Sequence, residues 1–122
     1  MIDHVTLNVG EYAAAKEFFS RSLAPLGYNV VKDFPEWKAV GLGQGGKPDF
    51  WLAEKQPVGN QHVAVAAPSR AAVDAFYQAA LAAGAKDNGA PGIRADYHPA
   101  YYAAFVFDAD GNNIEAVTHK PE

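Results

Sequence analysis

The sequence of 122 residues contains no cysteine, so disulfide bonds and thiolate metal sites are excluded. It also lacks a cluster of basic residues. The chain has 10 Lys and Arg and 14 Asp and Glu, which gives a net charge of −4. This balance argues against binding to nucleic acid or to an anionic membrane surface. No long apolar run and no basic leader is present. We therefore expect neither membrane insertion nor export, and the cytoplasm is the default location.

The composition that is present is that of a soluble globular domain. Hydrophobic residues make up 49% of the chain and charged residues 20%, which is not the profile of a disordered segment. A chain of this length buries roughly two-thirds of its unfolded surface in a single core. The sequence therefore predicts one domain over residues 1–122.

An internal repeat is the most informative pattern in the chain. The pair His4-Val5 returns as His62-Val63, and an Ala-rich amphipathic run follows each copy. The separation is 58 residues, the difference between positions 4 and 62. The same separation matches further apolar residues: Phe18 with Phe76, Phe19 with Tyr77, and Leu23 with Leu81. Repetition of this kind sets the architecture, and each copy opens on a histidine.

Periodicity predicts the order strand, helix and three strands in each copy, with modules at about 1–55 and 60–119. Ser69 is placed to cap the second helix. The Gly- and Pro-rich segment 87–99 is too long for a simple turn and is interpreted as a loop. The predicted strands are 4–9, 28–31, 37–42, 49–53, 62–67, 101–107 and 113–118, and the predicted helices are 12–26 and 70–83.

Strand parity indicates which polar side chains share a face. If the helices cover the face of Leu7 and Val65, then His4, His62 and Glu115 point to the opposite face. Two imidazoles and a carboxylate on one concave face are suited to a divalent cation. Each group has a plainer interpretation, as a hydrogen-bonded strand histidine or a solvated strand carboxylate.

The paired modules, the two His-Val strand openings and the ending from Phe105 through Asp108-Ala-Asp-Gly-Asn-Asn-Ile-Glu115 resemble the vicinal oxygen chelate superfamily. That superfamily includes glyoxalase I, bleomycin resistance proteins and extradiol dioxygenases, and the resemblance covers essentially the whole chain. It implies an α+β fold of two tandem βαβββ modules, which form a curved mixed sheet with the helices on its convex face. It also implies a homodimer and one divalent metal ion (Fe, Mn, Zn or Ni) on His4, His62 and Glu115.

The chain departs from the superfamily pattern at the fourth ligand position. Superposing the two module ends puts Trp51 opposite Glu115, and an indole cannot ligate a metal. Glyoxalase I and methylmalonyl-CoA epimerase resemble each other in placing Glu or Gln here, so the departure counts against both activities. Three protein ligands leave open positions for a substrate that chelates through adjacent oxygens. The resemblance therefore implies a metal-dependent enzyme acting on such a small substrate, or alternatively a metal-free small-molecule binding protein of the bleomycin-resistance type.

The segment from Arg94 to Tyr102 supplies the remaining candidates. Arg94, Tyr97 and His98 are candidate catalytic residues, as substrate contacts or a proton relay. Trp51, Tyr97 and Tyr102 are candidate substrate-binding residues. The alternative is a surface loop whose aromatic side chains pack against the sheet edge or a partner chain.

Overall fold

The computed structural model describes residues 1–121 and contains the order strand, helix and three strands twice. The first module comprises β1 (Val5–Val9), α1 (Tyr12–Leu23), β2 (Asn29–Phe34), β3 (Ala39–Gln44) and β4 (Lys47–Glu54). The second comprises β5 (His62–Ala66), α2 (Arg70–Ala82), β6 (Lys86–Ile93), β7 (Tyr102–Phe107) and β8 (Asn113–Thr118). Short 3-10 helices at Ala24–Leu26 and Pro35–Trp37 flank β2. The predicted α+β fold of tandem βαβββ modules is confirmed.

Each module forms its own four-stranded mixed sheet, in the orders β1-β4-β3-β2 and β5-β8-β7-β6. The first and last strands of each module pair in parallel, and the other neighbours are antiparallel. In the parallel pairs Thr6 lies opposite Trp51 and Ala64 lies opposite Glu115. Because Thr6 and Ala64 are themselves 58 residues apart, Trp51 and Glu115 occupy equivalent places in the two modules.

The helix-covered faces of both sheets meet in a single hydrophobic core. Leu7 and Phe19 of the first module and Phe76 and Ile114 of the second are all at most 2% exposed and belong to one cluster. The two helices also contact each other directly. We propose that the modules at about 1–55 and 60–119 form one folding unit over residues 1–122, because neither module closes its own core.

The two helices present different register positions to this core. The buried pair is Phe19 and Leu23 in α1 but Phe76 and Ala80 in α2, a separation of 57 residues instead of 58. The repeat thus matches Phe18 with Phe76 in sequence, whereas burial matches Phe19 with Phe76. One residue turns a helix by about 100°, so the packing of each helix against its own sheet decides which side chains are buried.

The start of α2 follows the sequence prediction. The Ser69 hydroxyl accepts a hydrogen bond from the backbone N–H of Ala72 at 3.1 Å, which satisfies one of the free donors of the first turn. The first helix uses a distant residue instead, since the Tyr12 N–H donates to Glu54 Oε2 at 2.9 Å. Within residues 1–121, no helix has the length and apolar character needed to cross a membrane.

The prediction of a loop over residues 87–99 is wrong for the first half of that segment, which forms β6. This edge strand pairs with β7 through an irregular register that shifts on both sides of Gly89. Gly89 has φ +146°, a conformation that other residues rarely adopt. Glycine and proline usually mark loops, and here they mark a distorted strand.

We predict that Phe76→Ala lowers the free energy of unfolding by about 3–5 kcal/mol, because it empties a fully buried site. Trp37 and Trp51, the only tryptophans of the chain, both lie in the first module, so their fluorescence reports on that module alone. In urea unfolding we expect the tryptophan transition to shift by the full amount although the change lies in the second module. Ile93→Ala, at a 42% exposed position, is the control and should change stability by about 0.5 kcal/mol or less. A tryptophan transition that stays in place would mean that the modules unfold independently.

Candidate functional site

Glu115 is a buried carboxylate on the sheet face that the helices do not cover. It lies on β8 between Ala64 of β5 and Phe105 of β7, and it is 1% exposed. Its Oε1 lies 2.9 Å from His62 Nε2, and its Oε2 accepts a hydrogen bond from the Tyr101 hydroxyl. Burying a carboxylate costs several kcal/mol unless it is paired, so these two partners are what hold it there.

The contact with Glu115 assigns the protons of its two partners. An ionised carboxylate only accepts hydrogen bonds, so Nε2 of His62 carries a proton and Nδ1 is the basic nitrogen in the neutral ring. The His62 side chain is 53% exposed, which leaves the ring open to a ligand. Burial, followed by the hydrogen bond to Glu115, raises the pKa of Tyr101 to about 12. Tyr101 is therefore a neutral hydrogen-bond donor at neutral pH.

His4 lies apart from this cluster. Its Nδ1 is 2.8 Å from Oδ1 of Asp3, and that carboxylate also contacts Lys47 Nζ at 3.1 Å. His4 and Ala64 both line a cavity of about 240 Å³ between β1 and β5. Within residues 1–121, no three His, Asp or Glu side chains lie close enough together to hold a metal ion. Of the three predicted ligands the structure brings together His62 and Glu115 but not His4, so these residues as arranged do not fit a three-ligand site.

Trp51 occupies the place in the first module that Glu115 occupies in the second. Its ring is parallel to that of Phe34, with 6.1 Å between centroids and 5° between planes. It also lies against Gly41 of the neighbouring strand, where an added Cβ would stand 2.9 Å from the indole carbons. The first module therefore presents an aromatic wall where the second presents a hydrogen-bonded carboxylate.

The segment after β6 places an aromatic group beside Glu115. The Tyr97 ring packs edge-on against Tyr101 at 5.1 Å, and the His119 ring does so from another side at 4.9 Å. The ring centroids of His98 and His119 are 5.5 Å apart, and His98 Nδ1 accepts a hydrogen bond from the backbone N–H of Ala100. Tyr97 and His98 thus reach Glu115 only through Tyr101 and His119, two residues that the sequence prediction did not include.

Tyr102 faces away from this site. Its hydroxyl donates to Asp74 Oδ1 at 2.6 Å, and Arg70 lies 5.1 Å from the ring centroid, both on the side of α2. Phe105 pairs with Glu115 across a hairpin whose midpoint is residue 110, and Tyr101 has the same parity as Phe105. The position of the Asp-Gly turn can be read from the sequence, and it fixes this register. It could therefore have predicted that Tyr101, and not Tyr102, lies on the same face as Glu115.

Comparison with known proteins identifies the family. Residues 1–116 match the family model of the Glyoxalase/Bleomycin resistance protein/Dioxygenase superfamily, and the chain belongs to this superfamily. A glyoxalase/bleomycin resistance protein from Albidiferax ferrireducens has 26% sequence identity and a TM-score of 0.80, with 98% of each chain covered. No curated protein matches the chain significantly.

More distant structures show the same fold. A glyoxalase-related enzyme from Fulvimarina pelagi is 18% identical with a TM-score of 0.72, covering 96% of this chain and 86% of its own. A glyoxalase/bleomycin resistance protein/dioxygenase family enzyme from Burkholderia phytofirmans is also 18% identical, with a TM-score of 0.69 and coverage of 95% and 96%.

We predict that the protein does not isomerise the hemithioacetal of glutathione and methylglyoxal, whichever of zinc, nickel or manganese is supplied. In glyoxalase I a carboxylate at the fourth ligand position helps to move the proton, and the equivalent position here is Trp51. The measurement is formation of lactoylglutathione by the wild-type protein. Robust turnover would show that a carboxylate at this position is not needed.

Proposed function

We propose that the protein is an enzyme that moves a proton on a small substrate with two adjacent oxygens, at the open face of the second sheet. One observation carries the proposal: Glu115 is 1% exposed, yet it lies on an open face in contact with the half-exposed His62. A carboxylate that only stabilised the fold would not need an accessible histidine as its partner. Ionisable groups held together in this way are typical of catalytic sites.

The cluster is arranged for general acid–base chemistry. Glu115 orients the His62 ring through Nε2 and stabilises the charge that the ring gains when Nδ1 accepts a proton. In the proposed step, Nδ1 removes a proton from the carbon next to a substrate carbonyl, and the electron pair moves to the carbonyl oxygen. Return of the proton to the same or a neighbouring atom completes an isomerisation or epimerisation. The hemithioacetal of glutathione is not such a substrate, because its proton transfer relies on a carboxylate at the position that Trp51 occupies here. Tyr101 keeps its own proton and holds the second oxygen of Glu115 in place.

Binding of a divalent metal ion is a separate proposal, because an ion held by His62 and Glu115 would take the place of the hydrogen bond between them. His62 and Glu115 are adjacent, as two ligands of one ion (Fe, Mn, Zn or Ni) need to be. His4 is the predicted third ligand, but it contacts Asp3 and would have to move toward β5. For that reason the proton step above is assigned to the protein side chains alone.

A metal-free binding protein is the second candidate function. The separation of His4 from His62 and Glu115 favours it, because binding without chemistry does not need a three-ligand site.

We further propose a homodimer in the cytoplasm, since members of this superfamily are commonly dimeric and β1 and β5 each end a sheet.

We predict that the wild-type protein exchanges carbon-bound protons of hydroxyacetone or pyruvate with solvent deuterium, as followed by NMR. His62→Gln should slow this exchange by about 100-fold or more, because it removes the base. Tyr101→Phe should slow it less, since the hydroxyl acts only through Glu115. Tyr28→Phe is the matched control for Tyr101→Phe and should leave the exchange unchanged, because the Tyr28 hydroxyl also donates to a carboxylate, Asp49 Oδ1 at 2.7 Å, but in the first module. Exchange no faster than in buffer, with ligand-dependent shifts of the protein resonances, would instead support the binding protein.

We predict about one divalent ion per chain in protein purified without a tag or chelator, as measured by elemental analysis. His4→Gln, His62→Gln and Glu115→Gln should each lower this occupancy strongly, because two remaining ligands form only a weak site. His98→Gln is the control, because its ring lies outside the predicted ligand set. Full occupancy in His62→Gln would show that this ligand is assigned wrongly.

A further inference from the structure

The side chain of Arg94 is held against β6 by two backbone carbonyls and one aromatic ring. Its Nη1 donates to the carbonyl of Gly92 at 2.9 Å, and its Nη2 donates to the carbonyl of Ala90 at 2.8 Å. The guanidinium carbon lies 5.2 Å from the centroid of the Phe105 ring. A cation over an aromatic face is attracted by the ring, so Phe105 is a third group that holds the guanidinium, beside the two carbonyls.

Two glycines make room for this side chain. An added Cβ at Gly89 would stand 3.1 Å from Nη2, and one at Gly92 would stand 3.2 Å from Nη1. Any other residue would press on the guanidinium, and Gly89 also has φ +146°. The irregular glycine-rich strand is therefore fitted to the arginine that follows it.

The charge of Arg94 has no acidic partner. Within residues 1–121, no carboxylate oxygen lies within 4.0 Å of its nitrogens, whereas six other basic side chains, two of them histidines, are in such pairs. A guanidinium has five N–H donors, and the two backbone carbonyls use two of them. Three donors and a full positive charge are left in a chain whose net charge is −4.

Arg94 lies on the same face as the proposed reactive cluster. Phe105 separates it from His62, with 6.5 Å between the Phe105 and His62 ring centroids. Its backbone N–H also donates to the carbonyl of Tyr101 at 2.7 Å. Burial and Glu115 raise the pKa of Tyr101, and the nearby charge of Arg94 acts against them. The Arg94 guanidinium and the His62 ring are thus both neighbours of the Phe105 ring.

We infer that Arg94 is an anion subsite which binds the carboxylate or phosphate group of the substrate whose proton His62 removes. This deepens the proposed function by making the substrate a small oxyanion. The planar fork of a guanidinium matches the two oxygens of such a group, and the fixed side chain loses little freedom on binding. A neutral molecule with the same adjacent oxygens would leave the charge unpaired.

The test is a titration of isotope-labelled protein with pyruvate, inorganic phosphate and neutral hydroxyacetone, followed by NMR at His62, Tyr101 and Phe105. We expect saturable shifts with at least one of the two anions, and the stronger of the two identifies carboxylate or phosphate as the group bound. Hydroxyacetone should bind at least about 10-fold more weakly. Arg94→Gln should weaken anion binding by about 10- to 100-fold, because this is the change in affinity that loss of a hydrogen bond to a charged group usually causes. Arg94→Lys should recover part of the affinity, which a purely structural role of Arg94 would not produce.

Arg70→Gln is the matched control. Arg70 lies over the Tyr102 ring at 5.1 Å, nearly the distance of Arg94 from Phe105, but on the helix side of the sheet. It should leave anion binding unchanged. The titration measures binding without turnover, so the anion subsite can be established even if the proton-transfer proposal fails. Absence of saturable shifts with both anions, or equal affinities in Arg94→Gln and wild type, would overturn the inference.

Discussion

The parallel pairing of β5 with β8 is the constraint on which the second module depends. Because Ala64 lies opposite Glu115, the alternate residues Ile114 and Ala116 face the helix and are buried in the core. The same register puts His62 within reach of the carboxylate on the other face. A shift of one residue would exchange the two faces, placing a carboxylate in the apolar core and apolar residues at the site. Fold and site therefore rest on one register.

The two modules share this framework but use it differently. In the first, the place of the carboxylate is taken by Trp51, which packs on Phe34 and lies against Gly41. In the second, Glu115 has a small neighbour, Ala64, and two polar partners. Packing stabilises the apolar carbons of an indole, whereas a buried carboxylate needs hydrogen-bond donors. The duplicated fold thus presents one apolar wall and one polar centre.

Much of the fold could be predicted because it follows from short-range rules. The strand alternation around His62, the Ser69 cap and the final hairpin each depend on a few neighbouring residues. The distortion of β6 could not be predicted, since glycine and proline favour loops unless a particular side chain, here Arg94, fills the space they leave. The difference in rotation between α1 and α2 could not be predicted, because alignment of the repeats does not fix how each helix packs against its own sheet.

The candidate site was predictable only in part for a related reason. His62 and Glu115 belong to one module, where strand pairing alone determines that they meet. His4 belongs to the other module, and its position relative to Glu115 depends on how two separate sheets are packed. Tyr101 and Tyr102 are adjacent and chemically alike, and only the hairpin register decides which of them faces Glu115.

The irregularity of β6 also protects the molecule from unwanted association. This strand forms the outer edge of its sheet, where unpaired backbone groups invite another chain to add a strand. Pro91 lacks an N–H, and the shifts around Gly89 break the edge into short lengths that a straight strand cannot follow. The glycines that accommodate Arg94 therefore also make this edge a poor template for aggregation.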